Sequence, residues 1–540
     1  MPWPQSYNPL GSALASTLLA AAPIAVLLGC IASGRVKAHY AALLALATAL
    51  AIVTGVVGMP VRAAIGATAM GAAYGMFPIG WIVLNTLFLY QLTKEEGAFD
   101  RMQASVGSIS KDRRIQLVLI AFALGSFFEG TAGFGTPVAI TGALLIGLGF
   151  GPLEASALSL IANTAPVAFG AMGTPIVALA GVTGIDAGVL SKMIGRQLPL
   201  FSMIVPFWLI AAYDGLRGIR EVWPTILVAG VSFAIPQFVV SNYHGPALVD
   251  VVSSVCCLLC VTAFARFQNR AAGATMSVGE TSASRLELLS PWLPWLILCI
   301  LVFAWGLTPT KAWLNHLYAP QIHVPGLDGV VQRVPPVVAK AQVEPAVYSF
   351  NILSGTGTSI LLAAVVGGLF LGFSPRALGR VYAKTVGIAW RSLLTIVAML
   401  AIGYLTRYSG LDAILGLAFA RTGILYPLFG TLLGWLGVAL TGSDTSSNVL
   451  FGSLQKITAT QLGLSPVLMT AANSSGGVMG KMIDAQSIVV ASTATRWYGH
   501  EGKILRFVFF HSLALATLVG LLVLLQAYVA PFTSMVPGLQ

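Results

Sequence analysis

Few residues carry ionisable chemistry into the apolar segments of this chain. Of 18 aspartates and glutamates, Glu129, Glu154, Asp444 and Asp484 fall within such segments, with Asp186 and Asp412 near segment ends. An ionisable group in hydrocarbon is expensive, so each is a functional hypothesis by default. Glu129 lies in GSFFEGTAGFGTP (125–137) and Asp444 in TGSDTS (441–446), stretches that interrupt hydrophobic sequence with Gly, Thr, Ser and Pro. A carboxyl group in a low-dielectric cavity can exchange a proton near neutral pH, which is what a proton-coupled carrier needs. The competing role is a carboxylate tied to backbone N–H groups or an arginine for structure. Glu154, following Pro152, reads as a first-turn charge at a helix start. Asp484 stands three residues after Lys481 in GKMIDAQS (480–487). The two can form an ion pair on one helical turn, or Lys481 can meet a substrate carboxylate. The candidate proton-coupling residues are Glu129, Asp444 and Asp484. Arg196, Arg391 and Arg407 are further cations near apolar segments; each can hold a carboxylate through two hydrogen bonds or simply snorkel to an interface.

Hydroxyls, amides and glycines around these acids make up the candidate substrate-binding set. It comprises Thr131, Gly133, Gly135, Thr136, Asn163, Thr164, Thr441, Ser443, Thr445, Ser446, Asn473, Ser474 and Lys481. Such groups bond a small polar solute without adding net charge, and about half should instead cap half-helices or bridge neighbouring helices. Cys256-Cys257-Leu258-Leu259-Cys260 contains a Cys-x-x-Cys, but it sits in an apolar run with no second pair and reads as packing. The six histidines show no metal-ligand spacing. His511, in the last apolar segment, fits an interface position or a proton shuttle. No cofactor and no metal are expected.

The elements that position these residues are membrane helices. The 540 residues are 57% hydrophobic and 9% charged, with a mean hydropathy of +0.86, too little charge to cover a soluble protein of this length. Apolar stretches long enough to span a bilayer number about 12–14 at roughly 20 residues each. An all-α polytopic membrane protein is expected, with its first span retained rather than cleaved. The net charge of +11 needs no nucleic-acid partner; it reads as Lys/Arg-rich cytoplasmic loops. The basic clusters are Arg35/Lys37, Lys111/Arg113/Arg114, Arg217/Arg220, Arg266/Arg270/Arg285, Arg376/Arg380/Lys384 and Lys503/Arg506. Placing them inside puts the N-terminus and the segment 308–345 outside.

The chain also repeats itself. Thr131 and Asn163 are 32 residues apart, as are Thr441 and Asn473, a common offset of 310; the turns LGFGP (148–152) and LGLSP (462–466) recur between them, shifted by four. The expected organisation is an N-terminal half over 1–265 with motifs at 125–137 and 161–176. A cytoplasmic loop, one span and an external loop follow over 266–345. The C-terminal half covers 346–540, with motifs at 441–452 and 471–487. Paired interruptions in two halves mark the midplane site of a secondary transporter. There, half-helix N-termini offer orphan N–H groups and partial positive charge to an anion. The common offset pairs Glu129 with Ala439, so the acidic groups are not symmetrically placed. The motifs of a membrane-embedded enzyme, Gly-x-Ser-x-Gly, His-Glu-x-x-His and a phosphate loop, are absent from the sequence, and no stretch reads as a soluble signalling domain.

At these residues the chain resembles the bacterial lactate permease family. The likeness is carried by EGTAGFGTPVAITGALLIGLGFGPLEA, NTAPVAFGAMGTPI, VTGID, GRQLP, GWLGVALTGSDTSSNVLFGSLQ and AANSSGGVMGKMIDAQSI. It extends to YNPLGS near the start and RVPPVV in the 308–345 segment. The resemblance implies an inner-membrane carrier of L-lactate, D-lactate and glycolate driven by proton symport, with sodium coupling as the alternative. It also implies kinship with the ion transporter superfamily: inverted repeats, broken helices or re-entrant hairpins, a scaffold and a moving transport domain, elevator-like movement in the lipid bilayer, and a homodimer. One motif departs from the family, which has Gly-Lys-Met-Ile-Ser-Pro-Gln-Ser where this chain has Asp484-Ala485 in place of Ser-Pro. An added acid beside Lys481 either weakens that lysine's pull on an anion or supplies a proton site.

Overall fold

In the computed structural model, residues 2–32, 35–98, 101, 109–131, 133, 135–271, 290–338 and 340–538 are described. Arg285 and the side chains of Thr136 and Arg270 lie outside the described residues. The chain is helical nearly throughout, as a bilayer requires of a backbone that cannot bond to water. Among the described residues, eight helices are long and apolar enough to cross a membrane, two bent pairs qualify jointly, and three apolar helices are shorter. This is a multi-pass membrane protein.

The helices α1 (Ala13–Ala32), α2 (Ala38–Gly55), α3 (Val61–Tyr74) and α4 (Trp81–Glu95) open the chain. The run Arg113–Thr131, α5, ends at a break, and α6 (Thr136–Gly147) starts beyond it at Gly135, whose φ of +80° only glycine adopts readily. α7 (Pro152–Ala162) and α8 (Gly170–Thr183) form a second broken pair, bent by 62°. α9 (Ala187–Tyr243) is two helices folded back at Gly215. α10 (Val249–Ala271), α11 (Leu293–Gly306) and α12 (Thr308–Leu317) lead to the short strands β2 (Gln321–His323), β3 (Val331–Arg333), β4 (Gln342–Val343) and β5 (Val347–Ser349). β1 (Trp3–Pro4), at the start of the chain, pairs in parallel with β3. Then come α13 (Thr356–Phe370), α14 (Pro375–Ser409), α15 (Leu411–Phe419), α16 (Tyr426–Thr441), α17 (Asp444–Gln461), α18 (Pro466–Gly480), α19 (Ala485–Ala494) and α20 (Glu501–Tyr528).

Two faces can be told apart by their contacts. The N-terminus and the strand segment share one: Gln5 Nε2 donates to the carbonyls of Arg407 and Tyr408 at 3.0 and 2.9 Å, and Arg333 pairs with Glu344 at 3.1 Å. On the other, Arg114 reaches Asp214 and Glu221 beside the Gly215 fold at 3.2 and 2.6 Å, and Lys384 reaches Glu95 at 2.5 Å. Charge counting puts the N-terminus and 308–345 on one side, and they do lie together.

Relative to these faces the two halves run in opposite senses. α5 and α6 form a hairpin that enters and leaves at the basic face, where the Arg113 guanidinium lies 5.8 Å from the Phe150 ring. α7 starts there and α8 ends at the strand face, the Thr183 carbonyl accepting from Lys456 Nζ at 2.6 Å. In the second half the hairpin is α16–α17, which returns to the strand face, Gln461 donating to the Pro336 carbonyl at 2.8 Å. α18 starts on that face and α19 ends on the basic one, the Thr495 hydroxyl lying 2.9 Å from Ser156. This is an inverted repeat with re-entrant hairpins.

The structure moves one register of that repeat. α7 and α18 begin at Pro152 and Pro466, an offset of 314 rather than 310. Asn163 therefore caps the end of α7 at its break, whereas Asn473 lies inside α18, eight residues before Lys481. The matching asparagines are not equivalent in space.

Close helix approach holds the second half together. A Cβ added at Gly434 of α16 would fall 2.8 Å from the carbonyl carbon of Asn473, and one at Gly480 of α18 would fall 3.0 Å from the Ala439 nitrogen. Without a hydrophobic drive between helices in lipid, such small-residue contacts supply the packing. Gly434→Ala is expected to destabilise by about 1–3 kcal/mol, the cost of overpacking. Thermal unfolding of the purified variant in detergent, against wild type, measures it.

Candidate functional site

The four breaks meet at one cavity of about 200 Å³. Glu129 and Gly133 line it from the first hairpin; Val167, Gly170, Ala171, Thr174 and Pro175 from the α7–α8 break. Thr441 to Ser446 line it from the second hairpin, and Lys481 and Gln486 from the α18–α19 break. The opposite wall is His39 of α2 with Arg391, Ser392, Thr395 and Ile396 of α14. Each ordered water takes about 30 Å³, so a three-carbon acid fits with a few waters. Two hydrophobic cores flank the site: a larger one around the broken helices, α10, α18 and α20, and a second around α1–α3, α14 and the strands. The cavity lies on their seam.

Local sequence explains each break. α16 ends at Gly442 with φ +72°, and Ser443 then caps α17, its hydroxyl accepting from the Ser446 amide at 3.2 Å. Ala171, Met172 and Gly173 form a left-handed run with φ of 43°, 56° and 74°, so regular helix begins at Thr174. Non-glycine residues rarely adopt that conformation, and strain of this kind concentrates at functional sites. Two helix N-termini, those of α8 and α17, therefore front the cavity with amide groups suited to an anion.

The charged side chains differ in how they are held. Asp444 is 3% exposed; its Oδ2 accepts from Ser474 at 2.5 Å and from Asn448 at 3.2 Å, while Oδ1 has no partner. Behind it Asn448 accepts from Asn473 at 2.9 Å, Asn473 accepts from Gln455 at 3.2 Å, and Gln455 accepts from Tyr426 at 2.6 Å. Glu129 is 5% exposed and its Oε2 has no hydrogen-bond partner. Lys481 Nζ donates to the Gly442 carbonyl at 2.6 Å and pairs with Asp484 at 3.3 Å. Asp484 caps α19 through the Ser487 amide at 2.7 Å and, fully buried, stands behind the lysine outside the cavity lining.

Of the residues singled out from sequence, Glu129, Gly133, Thr441, Ser443, Asp444, Thr445, Ser446 and Lys481 line the cavity. Asn473 and Ser474 lie one layer behind as supports of Asp444. The Thr131 and Thr164 hydroxyls donate to carbonyls of their own helices, Phe127 and Ile161, at 2.8 Å each. Gly135 faces Val490, and Asn163 is buried with both side-chain polar atoms unpartnered. Sequence reasoning did not find Thr174, Ser392, Thr395 or Gln486. The readable signal there was the Gly- and Pro-containing stretch GAMGTP (170–175) around Thr174. His511 Nδ1 accepts from Trp208 Nε1 at 3.0 Å, away from the site.

The sequence model described as L-lactate permease matches residues 16–530. The chain belongs to that family. It is 43% identical to Glycolate permease GlcA of Escherichia coli (strain K12), over 99% of both chains. It is also 43% identical to an L-lactate permease of Escherichia coli (strain K12) and 42% identical to one of Bacillus subtilis (strain 168), in each case over 99% of this chain and 100% of the relative. Irregular backbone at membrane depth survives only where protein or an aqueous cavity satisfies it, and the four breaks of this chain meet at such a polar cavity.

Proposed function

We propose that the protein imports L-lactate, D-lactate and glycolate by proton symport across a bacterial inner membrane, its N-terminus periplasmic. The names of the full-length relatives support the substrates. The observation that carries the mechanism is the cavity itself, where a lysine and two helix N-termini stand beside two carboxyl groups with unpartnered oxygens. The substrate carboxylate meets Lys481 and the α8 N-terminus, and its hydroxyl bonds to Ser443, Thr445 or Ser446. A proton taken up by Glu129 removes local negative charge and so favours the anion. The position of the cavity between two cores supports elevator-like movement of the broken-helix body against α2 and α14.

Uptake of labelled L-lactate into proteoliposomes, with proton and sodium gradients imposed separately, tests this. Accumulation is expected with an inward proton gradient and at background level with sodium alone. Accumulation driven by sodium in the absence of a proton gradient would overturn proton symport. Lactate and glycolate differ by one methyl group, worth about 1–3 kcal/mol in an apolar pocket, so each should compete with the other.

A further inference from the structure

We propose that Asp250, which sequence reasoning passed over, is a second proton-holding residue that shares a proton with Glu129 from behind the first hairpin. This rests on the proton-coupled reading above. Asp250 opens the first turn of α10 and is 1% exposed. Neither of its carboxyl oxygens has a hydrogen-bond partner among the described residues. α10 packs directly on the residue after Glu129: a Cβ added at Gly130 would lie 2.6 Å from the Asp250 Cβ and 3.3 Å from the Val251 nitrogen. Glycine at 130 is what lets the two acidic residues approach. Their carboxyl groups are within electrostatic reach of one another, and Glu129 Oε2 is equally unpartnered. Asn163, 2% exposed, adds an amide that faces Glu129.

A buried carboxylate with no donor costs several kcal/mol, and a second one within electrostatic reach adds to the cost. The arrangement that avoids the cost keeps at least one proton on the pair, which then titrates as a unit. Only Glu129 lines the cavity. It is therefore the exchange point, and Asp250 is the store. No hydrogen bond joins the two carboxyl groups, so the proton passes through a bridging water: the Glu129 carboxyl gives its proton to the water and becomes a carboxylate, while an Asp250 oxygen takes a proton from that water and becomes a carboxylic acid. The charged groups facing Glu129 are Lys481 and Asp484 at the α18–α19 break, with Asp250 behind it. Glu129 is the charged group that faces Asp250 from the packed elements, which include α5, α8 and α9.

The test uses full-length wild type, D250N, E129Q and E129Q/D250N in proteoliposomes, with L-lactate as the probe. D250N should lower proton-driven accumulation about tenfold while lactate counterflow falls no more than about threefold, and the double variant should be no worse than E129Q, as expected of one coupled unit. In infrared difference spectra on pH steps, a protonated-carboxyl band should persist in E129Q and vanish in E129Q/D250N. Wild-type accumulation and pH profile in D250N, or no band assignable to Asp250, would overturn the proposal. If D250N is not obtained folded, the band in E129Q, shifted in E129Q/D250E, decides it. A wild type insensitive to proton gradients would remove the symport reading instead, and the infrared arm would still report on the pair.

Discussion

Lys481→Met is expected to cut L-lactate uptake by two orders of magnitude or more. The side chain does three things at once: it lines the cavity, it donates to the Gly442 carbonyl at the C-terminus of α16, and it neutralises a fully buried Asp484. Removing one member of a buried pair costs about 3–5 kcal/mol, because the remaining charge is left uncompensated, and each 1.4 kcal/mol is about tenfold. The loss alone does not say whether the lysine serves Asp484 or the substrate. K481M/D484S separates them by removing both charges and restoring serine, the residue resembling the family motif. The double variant should recover much of the thermal stability lost in K481M but stay below about a tenth of wild-type uptake, since the anion still lacks its cation. Uptake within twofold of wild type in K481M/D484S would reduce Lys481 to a structural partner.

The parts of this site that were legible in the sequence are those written in backbone chemistry. Gly, Pro and small hydroxyl residues break helices wherever they cluster, so the stretches 125–137 and 441–446 announced their hairpins, and their recurrence announced the repeat. Side-chain direction was not legible in the same way. Thr131 and Thr441 match in sequence, yet Thr131 is buried away from the cavity and Thr441 lines it. Asn163 and Asn473 match too, but a four-residue shift between Pro152 and Pro466 carries one to a helix end and the other into a helix interior. Asp250 was missed because it follows Pro246 at the start of an apolar run, where an acid reads as an ordinary first-turn charge. Only the packing of α10 on Gly130 shows that this helix start is buried. The α14 wall was partly hidden for a related reason: Ser392 and Thr395 are isolated polar residues on a 35-residue helix, without a break to mark them.

Glu129→Gln and Asp444→Asn should fail in different ways. Asp444 accepts from Ser474 and Asn448, and through Asn448 it anchors a chain of buried amides ending at Tyr426. An asparagine at 444 can keep its oxygen on Ser474 and Asn448, but a neutral oxygen holds them more weakly than a carboxylate, and its new N–H₂ group takes the unpartnered Oδ1 position, a buried donor unsatisfied at about 1–3 kcal/mol. That misplaces the first turn of α17, which is the substrate's own wall, so D444N should lose proton-driven accumulation and lactate counterflow together by about tenfold or more. Glu129 has no such anchor. Glutamine there keeps size and burial and removes only the exchangeable proton, so E129Q should lose proton-driven accumulation while counterflow falls far less. Measured side by side at several pH values, E129Q should also flatten the pH dependence of uptake. If D444N kept counterflow and E129Q lost it, the two roles would have to be exchanged, with Asp444 moving the proton and Glu129 shaping the site.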